Sequence, residues 1–450
     1  MRFVSTENED SKKMLKTIDK ESIEELFSSI PSNLLFNNLL NIPKAKDERQ
    51  LKKSLTNLIS PLNLVNFLGA GACEHFVPEW ISQQLLRAEW YTSYTPYQAE
   101  VSQGNLQAIF EFQSMIKSLL GQEIANASMY DGATALVEAV LLAHRINQKN
   151  IVLVPSNIHP HYEQTLKTYL QYTSIKIVSI NFDKQGMVCF NSFYKALEQF
   201  DNQICAACIQ TPNFFGLFED VTAFAKTLSE KNIFSIAINT DCSALALIKP
   251  LGTLGFDVCV SDGIGLLGSL SMGGPGVGLF ATKQKYLRQM PGRIVGLSID
   301  KNNELGFVLT LSTREQHIRR EKATSNICTN HNLMALALAM TLSSYGKSGF
   351  INLAFNNIHK TIYFRKKLLE LGIKPEFNNP HYNETVIKFA SSEHVKKFLN
   401  KARSKNIIAG LNLGQFYQNL NSHLLIATTE LHEDEEITQL ATLLGEEING

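Results

Sequence analysis

The feature that most constrains the fold of this chain is a regular alternation of short β-rich runs with helical stretches, from about residue 64 to residue 299. The runs are almost continuously apolar, which is typical of strands buried on both faces of a sheet. Successive runs begin roughly 25–30 residues apart, the separation that a helical crossover between parallel strands requires. They read IVLVP at 151, IKIVSINF at 175, ICAACIQ at 204, IFSIAIN at 233, FDVCVSD at 256 and VGLFAT at 277. The pattern predicts an α/β fold with a mostly parallel, doubly wound sheet.

The segments on either side differ from this core in composition. Residues 1–62 are polar with a helical period, and a stripe of apolar residues ends at Pro31: Ile23, Leu26, Phe27 and Ile30. A second amphipathic stretch runs from about Asp47 to Ile59, so we expect an N-terminal helical arm that lies on the body.

The chain after the predicted sheet changes character again. Residues 301–330 are charged and are interpreted as a connector, and a helix is predicted from Leu333 to Tyr345. Later segments alternate helices with strands such as TVIKFA and LLIATTE. We therefore predict a large α/β domain over 63–330 and a smaller α+β domain over 331–450.

Composition excludes several classes of function. The formal net charge is zero, with 44% hydrophobic and 19% charged residues, which is typical of a globular protein without an electrostatic preference for nucleic acid or membrane surfaces. No apolar run is long enough to span a membrane. The N-terminal segment MRFVSTENEDSKK contains acidic residues and lacks the apolar core of a secretory signal, so a cytoplasmic location is expected.

Seven cysteines are scattered through apolar segments, an odd count that indicates a reducing compartment rather than a disulfide framework. Cys205 and Cys208 have C-x-x-C spacing, but they lie inside the run ICAACIQ and are interpreted as buried thiols. No second pair at zinc-finger spacing follows, so no metal site is predicted.

Polar residues follow several of the predicted strands. Asp131 to Thr134 open a long apolar helix, and such a start exposes backbone N–H groups that favour an anion. His159, Asn213 and Asp241 each follow a strand, at the sheet edge where α/β proteins collect ligands. Together they suit a phosphorylated pyridine ring, with the aspartate paired to the ring nitrogen as in pyridoxal-phosphate chemistry. The alternative for each residue alone is an ordinary cap or loop contact.

A tyrosine-rich loop is the second candidate site. Tyr94 and Tyr97 flank Pro96 in SYTPYQAEVSQG, close to Gln98 and Glu100, and a helix is predicted from about Asn105 to Gly121. These side chains combine apolar bodies with polar tips. An ordinary surface loop with packing aromatics is the alternative, and spacing alone favours it.

The residue that pyridoxal-phosphate chemistry most needs is missing. A lysine amine forms the Schiff base with the coenzyme, normally on the turn after the next strand. Here that turn lies between Asp257 and Thr282, and the whole interval contains no lysine.

Five segments identify a family: YTPYQAEVSQG, NASMYDGATA, QTPNFFG, MPGRIVG and TREQHIRREKATSNICTN. They closely resemble the P-protein of the glycine cleavage system, glycine dehydrogenase (decarboxylating), and within it the alpha (first) subunit. The resemblance covers nearly the whole chain and is strongest over residues 60–330. It implies a fold-type-I pyridoxal-phosphate architecture in which a beta subunit carries the lysine, at a position aligned with Gly265 here.

The resemblance also implies an activity and partners. The family decarboxylates glycine and passes the aminomethyl group to the lipoyl arm of the H-protein, and the split form assembles as an alpha-2-beta-2 heterotetramer with pyridoxal 5'-phosphate held covalently by the beta subunit. Tyr94, Tyr97, Gln98 and Glu100 match the family's loop motif and are the implied catalytic candidates.

A second motif match lies after the arginine-rich segment. Thr324, Ser325 and Asn326 match a loop that is expected to reach the coenzyme phosphate of the partner chain. Asp131, Thr134, His159, Asn213 and Asp241 would then be the vestigial ring pocket of this chain. For Arg314, Arg319 and Arg320, which alternate with Glu315 and Glu321, a subunit interface and a solvated helix are equally consistent with the pattern.

The sequence departs from the family around this ring pocket. It has Ser261-Asp262-Gly263-Ile264 where the family usually has Gly-Glu-Gly-Gln, and Cys73 and Phe76 where tyrosines are common. The segments LFNNLLNIPK and NTDCSALAL also diverge. These departures argue against coenzyme binding by this chain itself.

Three hypotheses follow. The first is the alpha subunit of an active glycine decarboxylase, and the second is a catalytically silent scaffold that stabilises the lysine-bearing partner. The third is a free-standing pyridoxal-phosphate enzyme, against which the missing lysine argues strongly.

Overall fold

The computed structural model describes residues 8–36, 38, 40–58, 64–268, 270 and 273–449. The chain divides into two compact units, residues 1–62 and residues 63–450. The first seven residues, the last residues before the boundary between the units, and part of the lysine-free segment before Thr282 fall outside the described residues.

Among its described residues, the first unit contains two helices, α1 (Asn8–Thr17) and α2 (Glu48–Leu58), and one 3-10 turn (Glu24–Phe27). α2 confirms the predicted second amphipathic stretch as far as Leu58, and Ile59 lies outside the described residues. The predicted stripe ending at Pro31 is wrong as a full helix, because only this single turn forms there and its apolar side chains are exposed. An isolated short helix is marginal unless its apolar face is buried. The expected docking of this arm on the body stays a prediction.

The second unit holds the rest of the fold. Its strands are β1 (Val65–Asn66), β2 (Ile124–Ala125), β3 (Ile151–Pro155), β4 (Lys176–Ile180), β5 (Ile204–Gln210), β6 (Phe234–Asn239), β7 (Val258–Asp262), β8 (Gly278–Thr282), β9 (Ile294–Ile299), β10 (Leu305–Thr310), β11 (Glu384–Lys388), β12 (Ile407–Ile408), β13 (Leu411–Asn412) and β14 (His423–Ala427). Its helices are α3 (Glu79–Leu85), α4 (Ala88–Tyr91), α5 (Gln103–Leu120), α6 (Gly132–Asn147), α7 (Pro160–Leu170), α8 (Phe190–Phe200), α9 (Val221–Glu230), α10 (Gln316–Arg319), α11 (Asn332–Glu370), α12 (Ser392–Ser404) and α13 (Asp434–Ile448).

A seven-stranded sheet forms the centre, in the order β2-β8-β7-β6-β5-β3-β4. Strands β3 to β7 pair in parallel, whereas β8 pairs antiparallel with both β7 and β2. The six predicted strands and the mostly parallel sheet are therefore confirmed. After β4 the chain returns to the other side of β3, so the winding direction reverses between β3 and β5. Ligands of open α/β sheets bind outside the strand ends at such a reversal.

The apolar core lies on both faces of this sheet. Alternate residues of β3 and β5 enter two different clusters: Leu153 and Ala207 face one side, and Val152 and Cys208 face the other. This alternation is what period-two strand geometry requires. Burial on both faces explains why the strands read as continuous apolar runs.

The C-terminal part has its own three-stranded sheet, β11-β14-β13, with all pairs antiparallel. Helix α11 connects it to the central sheet and changes direction at Gly346, whose φ is 59°. Leu338 and Leu353 of α11 belong to the core of the central sheet, and Phe364 belongs to the C-terminal core. The predicted boundary after residue 330 stays a prediction, since the apolar clusters divide within this helix.

The connector predicted over residues 301–330 is wrong in its first part. β9 and β10 form an antiparallel hairpin, from Ile294 paired with Thr310 to Ile299 paired with Leu305.

All seven cysteines are free, and Cys205 and Cys208 are fully buried in β5, as predicted. Within the described residues, every helix is too short or too polar to cross a bilayer.

Candidate active site

Helix α6 begins at the carboxyl edge of the sheet with the predicted anion-favouring start. The Asp131 carboxylate accepts a hydrogen bond from the Thr134 N–H at 2.7 Å, and the Asp131 N–H donates to the Thr134 hydroxyl at 3.2 Å. The pair is thus a capping box that satisfies the helix's own terminal donors. The Gly132 N–H donates to the Asp262 carboxylate at 2.7 Å, so an acidic side chain from the end of β7 occupies the anion position.

Burial raises the pKa of Asp262 to about 6, partly offset by hydrogen bonds from the N–H groups of Gly132 and Ile264. A Cβ atom at position 132 would collide with the Tyr162 hydroxyl. Only glycine therefore allows this helix start to approach both the carboxylate and the tyrosine.

His159 and Asn213 lie at the ends of β3 and β5, beside the reversal of the sheet. The His159 ring packs against Tyr162 and Phe214, and its Nε2 atom donates to the Ala70 carbonyl at 2.8 Å. Burial lowers the pKa of His159 to about 4, so the ring is neutral. The Asn213 side chain is buried. Its amide NH2 group donates to the Glu219 carboxylate and the Gly186 carbonyl, and its side-chain oxygen accepts from the backbone N–H groups of Phe215 and Leu217.

Asp241, the predicted partner of a pyridine nitrogen, faces His75 instead. The Nε2 atom of His75 lies 3.1 and 3.2 Å from the two Asp241 carboxylate oxygens, and its Nδ1 atom lies 3.0 Å from Glu430. The His75 side chain is 0% exposed. Because ionised carboxylates only accept hydrogen bonds, both ring nitrogens must carry protons.

The protonation of this pair follows from its surroundings. Burial by itself lowers the pKa of His75, but the charge of Asp241 and the hydrogen bonds to both carboxylates outweigh it and raise the pKa to about 10. Burial raises the pKa of Asp241, and the charge and hydrogen bond of His75 reverse this, for a net lowering. Ser243 and Asn383 also donate to Asp241.

Gly265, the predicted counterpart of the partner's lysine, lies against the same histidine. The backbone N–H of His75 donates a hydrogen bond to the Gly265 carbonyl at 3.1 Å. A Cβ atom at position 265 would collide with the Cys73 carbonyl and reach the His75 ring at 3.1 Å. The lysine of a coenzyme site therefore has no room here unless the segment from Cys73 to His75 moves.

These residues do not fit pyridoxal phosphate on this chain. The predicted anion position holds Asp262, the predicted ring-nitrogen partner holds His75, and the lysine position is a glycine under a close backbone contact. The five residues predicted as a vestigial pocket do come to one sheet edge, but their polar groups have partners within the chain.

The tyrosine loop is exposed, with Tyr94 71% and Tyr97 54% accessible. The buried side chain of Arg293 holds this loop in place. The Arg293 guanidinium donates to the Tyr97 hydroxyl at 2.8 Å and to the Thr95 hydroxyl at 3.1 Å, and it pairs with Glu315 at 3.1 Å. Gln98 and Glu100 are exposed on the same loop.

The segment after the arginine-rich stretch lies beside this loop. The Tyr94 hydroxyl is 3.0 Å from the Thr329 hydroxyl, and the Tyr97 ring meets His317 edge-on at 5.6 Å. Thr324 and Ser325 are partly buried and Asn326 is exposed. The contacts with Thr329 and His317 place the tyrosine loop beside the residues that flank the second motif match. We call the exposed residues of the tyrosine loop the aromatic surface: Tyr94, Tyr97, Gln98 and Glu100.

Arg314 differs from both interpretations of the arginine-rich segment. It is buried, and its guanidinium donates to the carbonyls of Met290, Gly292 and Leu311, so it holds the chain after β8 rather than a subunit interface or a solvated ion pair. Arg319 and Arg320 are exposed.

Sequence reasoning missed three residues that define these two regions. Arg293 lies in the recognised motif MPGRIVG, and its burial was the missing information. His75 follows the Gly69–Gly71 turn, whose three residues all have positive φ, and no sequence signal connects it with Asp241. Asp262 lies at the end of a predicted strand, as the other candidate residues lie near strand ends, and this position is a signal that could have identified it as a site residue.

The strand order and the antiparallel β8 define the class of the protein. Solved structures of fold-type-I pyridoxal-phosphate enzymes share the fold, among them a NifS-like protein from Rickettsia africae with a TM-score of 0.64 over 86% of this chain and 100% of that one. At 13% identity this likeness shows the fold alone.

The particular family follows from closer matches. The model of the glycine cleavage system P-protein family matches residues 1–444, and the chain belongs to that family. A crystal structure of glycine decarboxylase (P-protein) of the glycine cleavage system, in inhibitor-bound form, is 35% identical with a TM-score of 0.85, covering 99% of this chain and 100% of that one.

Curated relatives match over their full length. The chain is 41% identical over 450 residues to the probable glycine dehydrogenase (decarboxylating) subunit 1 of Carboxydothermus hydrogenoformans, covering 99% of both proteins. It is 42% identical over 449 residues to the protein of the same name from Lysinibacillus sphaericus, covering 99% of this chain and 98% of that protein.

Proposed function

We propose that this chain is the alpha subunit of a glycine decarboxylase whose coenzyme is held by a second, lysine-bearing beta subunit. Together they decarboxylate glycine and transfer the aminomethyl group to the lipoyl arm of the H-protein. The relatives named subunit 1 support a second subunit, and their enzyme names favour this function over the silent scaffold. An alpha-2-beta-2 heterotetramer in the cytoplasm is part of the proposal.

The observation that carries the proposal is the contrast between Gly265 and the aromatic surface. At Gly265, the predicted counterpart of the reactive lysine, a Cβ atom would collide with the Cys73 carbonyl, while the loop that matches the family's motif is exposed and is held by Arg293. A chain with this arrangement completes a site on a neighbour rather than one of its own.

The residues of this chain then act by position. The Tyr94 and Tyr97 rings cover apolar area with few rotatable bonds and present hydroxyls at fixed points, which excludes water and orients a bound substrate. Arg293 keeps the Tyr97 hydroxyl as a hydrogen-bond acceptor toward the protein, so its proton remains available to a group outside. Gln98 and Glu100 add an amide and a carboxylate at the same edge.

Reconstitution tests the proposal. The chain, the beta subunit and lipoylated H-protein are mixed, and glycine-dependent exchange of labelled carbon dioxide is measured for the wild type and for a Tyr94→Phe/Tyr97→Phe double variant. We expect the double variant to assemble normally and to lose roughly 10- to 100-fold in exchange rate, the size typical of lost positioning groups.

The matched control is Tyr172→Phe, which removes a hydroxyl from an exposed tyrosine outside the aromatic surface. It is expected to leave exchange unchanged. An unchanged rate in the double variant, with assembly intact, would favour the scaffold and remove the catalytic assignment of the loop.

A further inference from the structure

Each end of the ring pocket contains a side chain that carries the same sign of charge as the coenzyme group that would bind there. At one end the doubly protonated His75 ring, a flat cationic heterocycle, lies against Asp241. At the other end the Asp262 carboxylate accepts from the first N–H of α6. A pyridinium ring prefers an aspartate, and a phosphate prefers a helix N-terminus, for the same electrostatic reasons.

We propose that this chain keeps the ring pocket permanently closed with its own side chains, His75 taking the place of a cationic ring and Asp262 the place of a bound anion. This closure uses only residues of this chain and does not depend on the proposed reaction. Neither His75 nor Asp262 is among the candidate site residues that the sequence suggests.

His75 is held by several parts of the fold at once. Its ring joins Asp241 after β6 to Glu430 after β14, and Asn357 of α11 also donates to Glu430 at 2.8 Å. Glu430 in turn accepts from the Phe76 N–H at 2.7 Å. One buried cation thus lies between two carboxylates from the central sheet and the C-terminal part, and removing it leaves like charges facing each other.

The arrangement also explains the glycine at position 265. The backbone from Cys73 to His75 crosses the place where a side chain at 265 would begin. A lysine at position 265 would therefore require the segment from Cys73 to His75 to move away. A chain that closes its pocket in this way leaves no place for the coenzyme at this edge of the sheet.

Asp262 is as closely held as His75. Its two oxygens accept from the N–H groups of Gly132 and Ile264, at 2.7 and 2.9 Å, and its residue is 8% exposed. The bond from Gly132 is the kind that an anion at the start of a helix accepts, and the bond from Ile264 comes from the turn that follows Asp262 itself. With the carboxylate in place, a second anion would meet both its bulk and its charge.

Chemical rescue tests the ring half of the proposal. In His75→Gly the full chain is expected to lose thermal stability, and imidazole added at pH 6.5, where much of it is protonated, is expected to restore it in a saturable way. Pyrrole, a neutral ring of the same size, serves as the probe for cavity filling alone. We expect imidazole to bind the variant at least tenfold more tightly than pyrrole and to leave the wild type unaffected.

Equal rescue by the two rings, or no rescue of a folded variant, would overturn the assignment of His75. If the variant folds only with help, the refolding yield in imidazole against that in pyrrole gives the same comparison.

The anion half has its own test. Inorganic phosphate is expected to raise the unfolding midpoint of Asp262→Ala and not that of the wild type. A double variant, His75→Gly/Asp262→Ala, is expected to bind pyridoxal 5'-phosphate without a covalent bond, detected by its absorbance after gel filtration, whereas the wild type retains none. Retention of the coenzyme by the wild type, or an equal response of both chains to phosphate, contradicts closure.

Discussion

The ring pocket and the aromatic surface handle polar groups in opposite ways. In the pocket, Asp262 and His75 are buried and the Asp241 side chain is only 11% exposed, and each of the three has a partner within the chain. On the aromatic surface, Tyr94 and Tyr97 are held at one end and present their rings to the outside. Buried charges persist only when paired, whereas exposed aromatic patches usually mark contact surfaces. This difference is what the proposed alpha subunit requires, in which the aromatic surface and not the ring pocket serves the partner's site.

The largest effect is expected when the side chain that holds the aromatic surface in place is removed. Arg293→Met leaves Glu315 without its buried partner and frees the Tyr97 and Thr95 hydroxyls. Breaking a buried ion pair costs roughly 3–5 kcal/mol, so we expect a large drop in the urea midpoint together with loss of carbon dioxide exchange in the reconstituted enzyme. Arg403→Met, at an exposed arginine of α12, is the control and should change neither. Normal exchange per assembled Arg293→Met enzyme would show that loop geometry is not used.

The second test uses pH to probe the closed pocket. The pKa of His75 is raised from 6.5 to about 10, so the folded protein binds one proton more than the unfolded chain between these values. Its contribution to the free energy of unfolding, on the order of 5 kcal/mol at about 1.4 kcal/mol per pKa unit, is fully present below pH 6.5 and is lost as pH rises through about 10. The difference in unfolding free energy between wild type and His75→Gln should therefore shrink steadily from pH 7 to pH 10. A pH-independent difference would mean that the ring is neutral.

Sequence could predict the sheet but not all of its surroundings, for physical reasons. The strands β3 to β8 are buried on both faces, so their sequences are continuously apolar and hard to mistake. The β9–β10 hairpin was missed because exposed apolar residues alternate with polar ones and the turn is charged: Leu297 and Ile299 on one strand, Leu305 on the other. Its one usable signal was the Asn302-Asn303 turn, where Asn303 has a φ of 67°.

The candidate sites divide in the same way. Parallel topology alone predicts that residues ending β3, β5 and β6 meet at one edge, and His159, Asn213 and Asp241 do so. The partner of Asp241 comes from a coil segment 166 positions earlier, and no periodicity relates the two. A single sequence does not show which individual side chains pair with each other across such long separations in the chain.

A smaller effect is expected at the lysine position. Gly265→Ala adds a methyl group against the Cys73 carbonyl and the His75 ring, and overpacking of this kind costs about 1–3 kcal/mol. Gly104→Ala is the matched control, since nothing lies within 4 Å of the added atom and the position is helical, so stability should stay equal or rise slightly. If both substitutions are equally tolerated in urea unfolding, the segment from Cys73 to His75 yields easily and the close contact does not exclude a side chain.

The smallest predicted effect separates a cap from a ligand at the start of α6. Asp131→Ala removes the acceptor for the Thr134 N–H but leaves Asp262 on the Gly132 N–H. Loss of an N-cap costs about 1 kcal/mol, and we expect that change in urea unfolding with no change in carbon dioxide exchange by the assembled enzyme. Asp220→Ala, which removes the corresponding cap acceptor of α9 from the Ala223 N–H, should cost a similar amount. Loss of exchange in Asp131→Ala alone would mean that this pocket still takes part in the reaction, and the contrast between a closed pocket and a working surface would no longer hold.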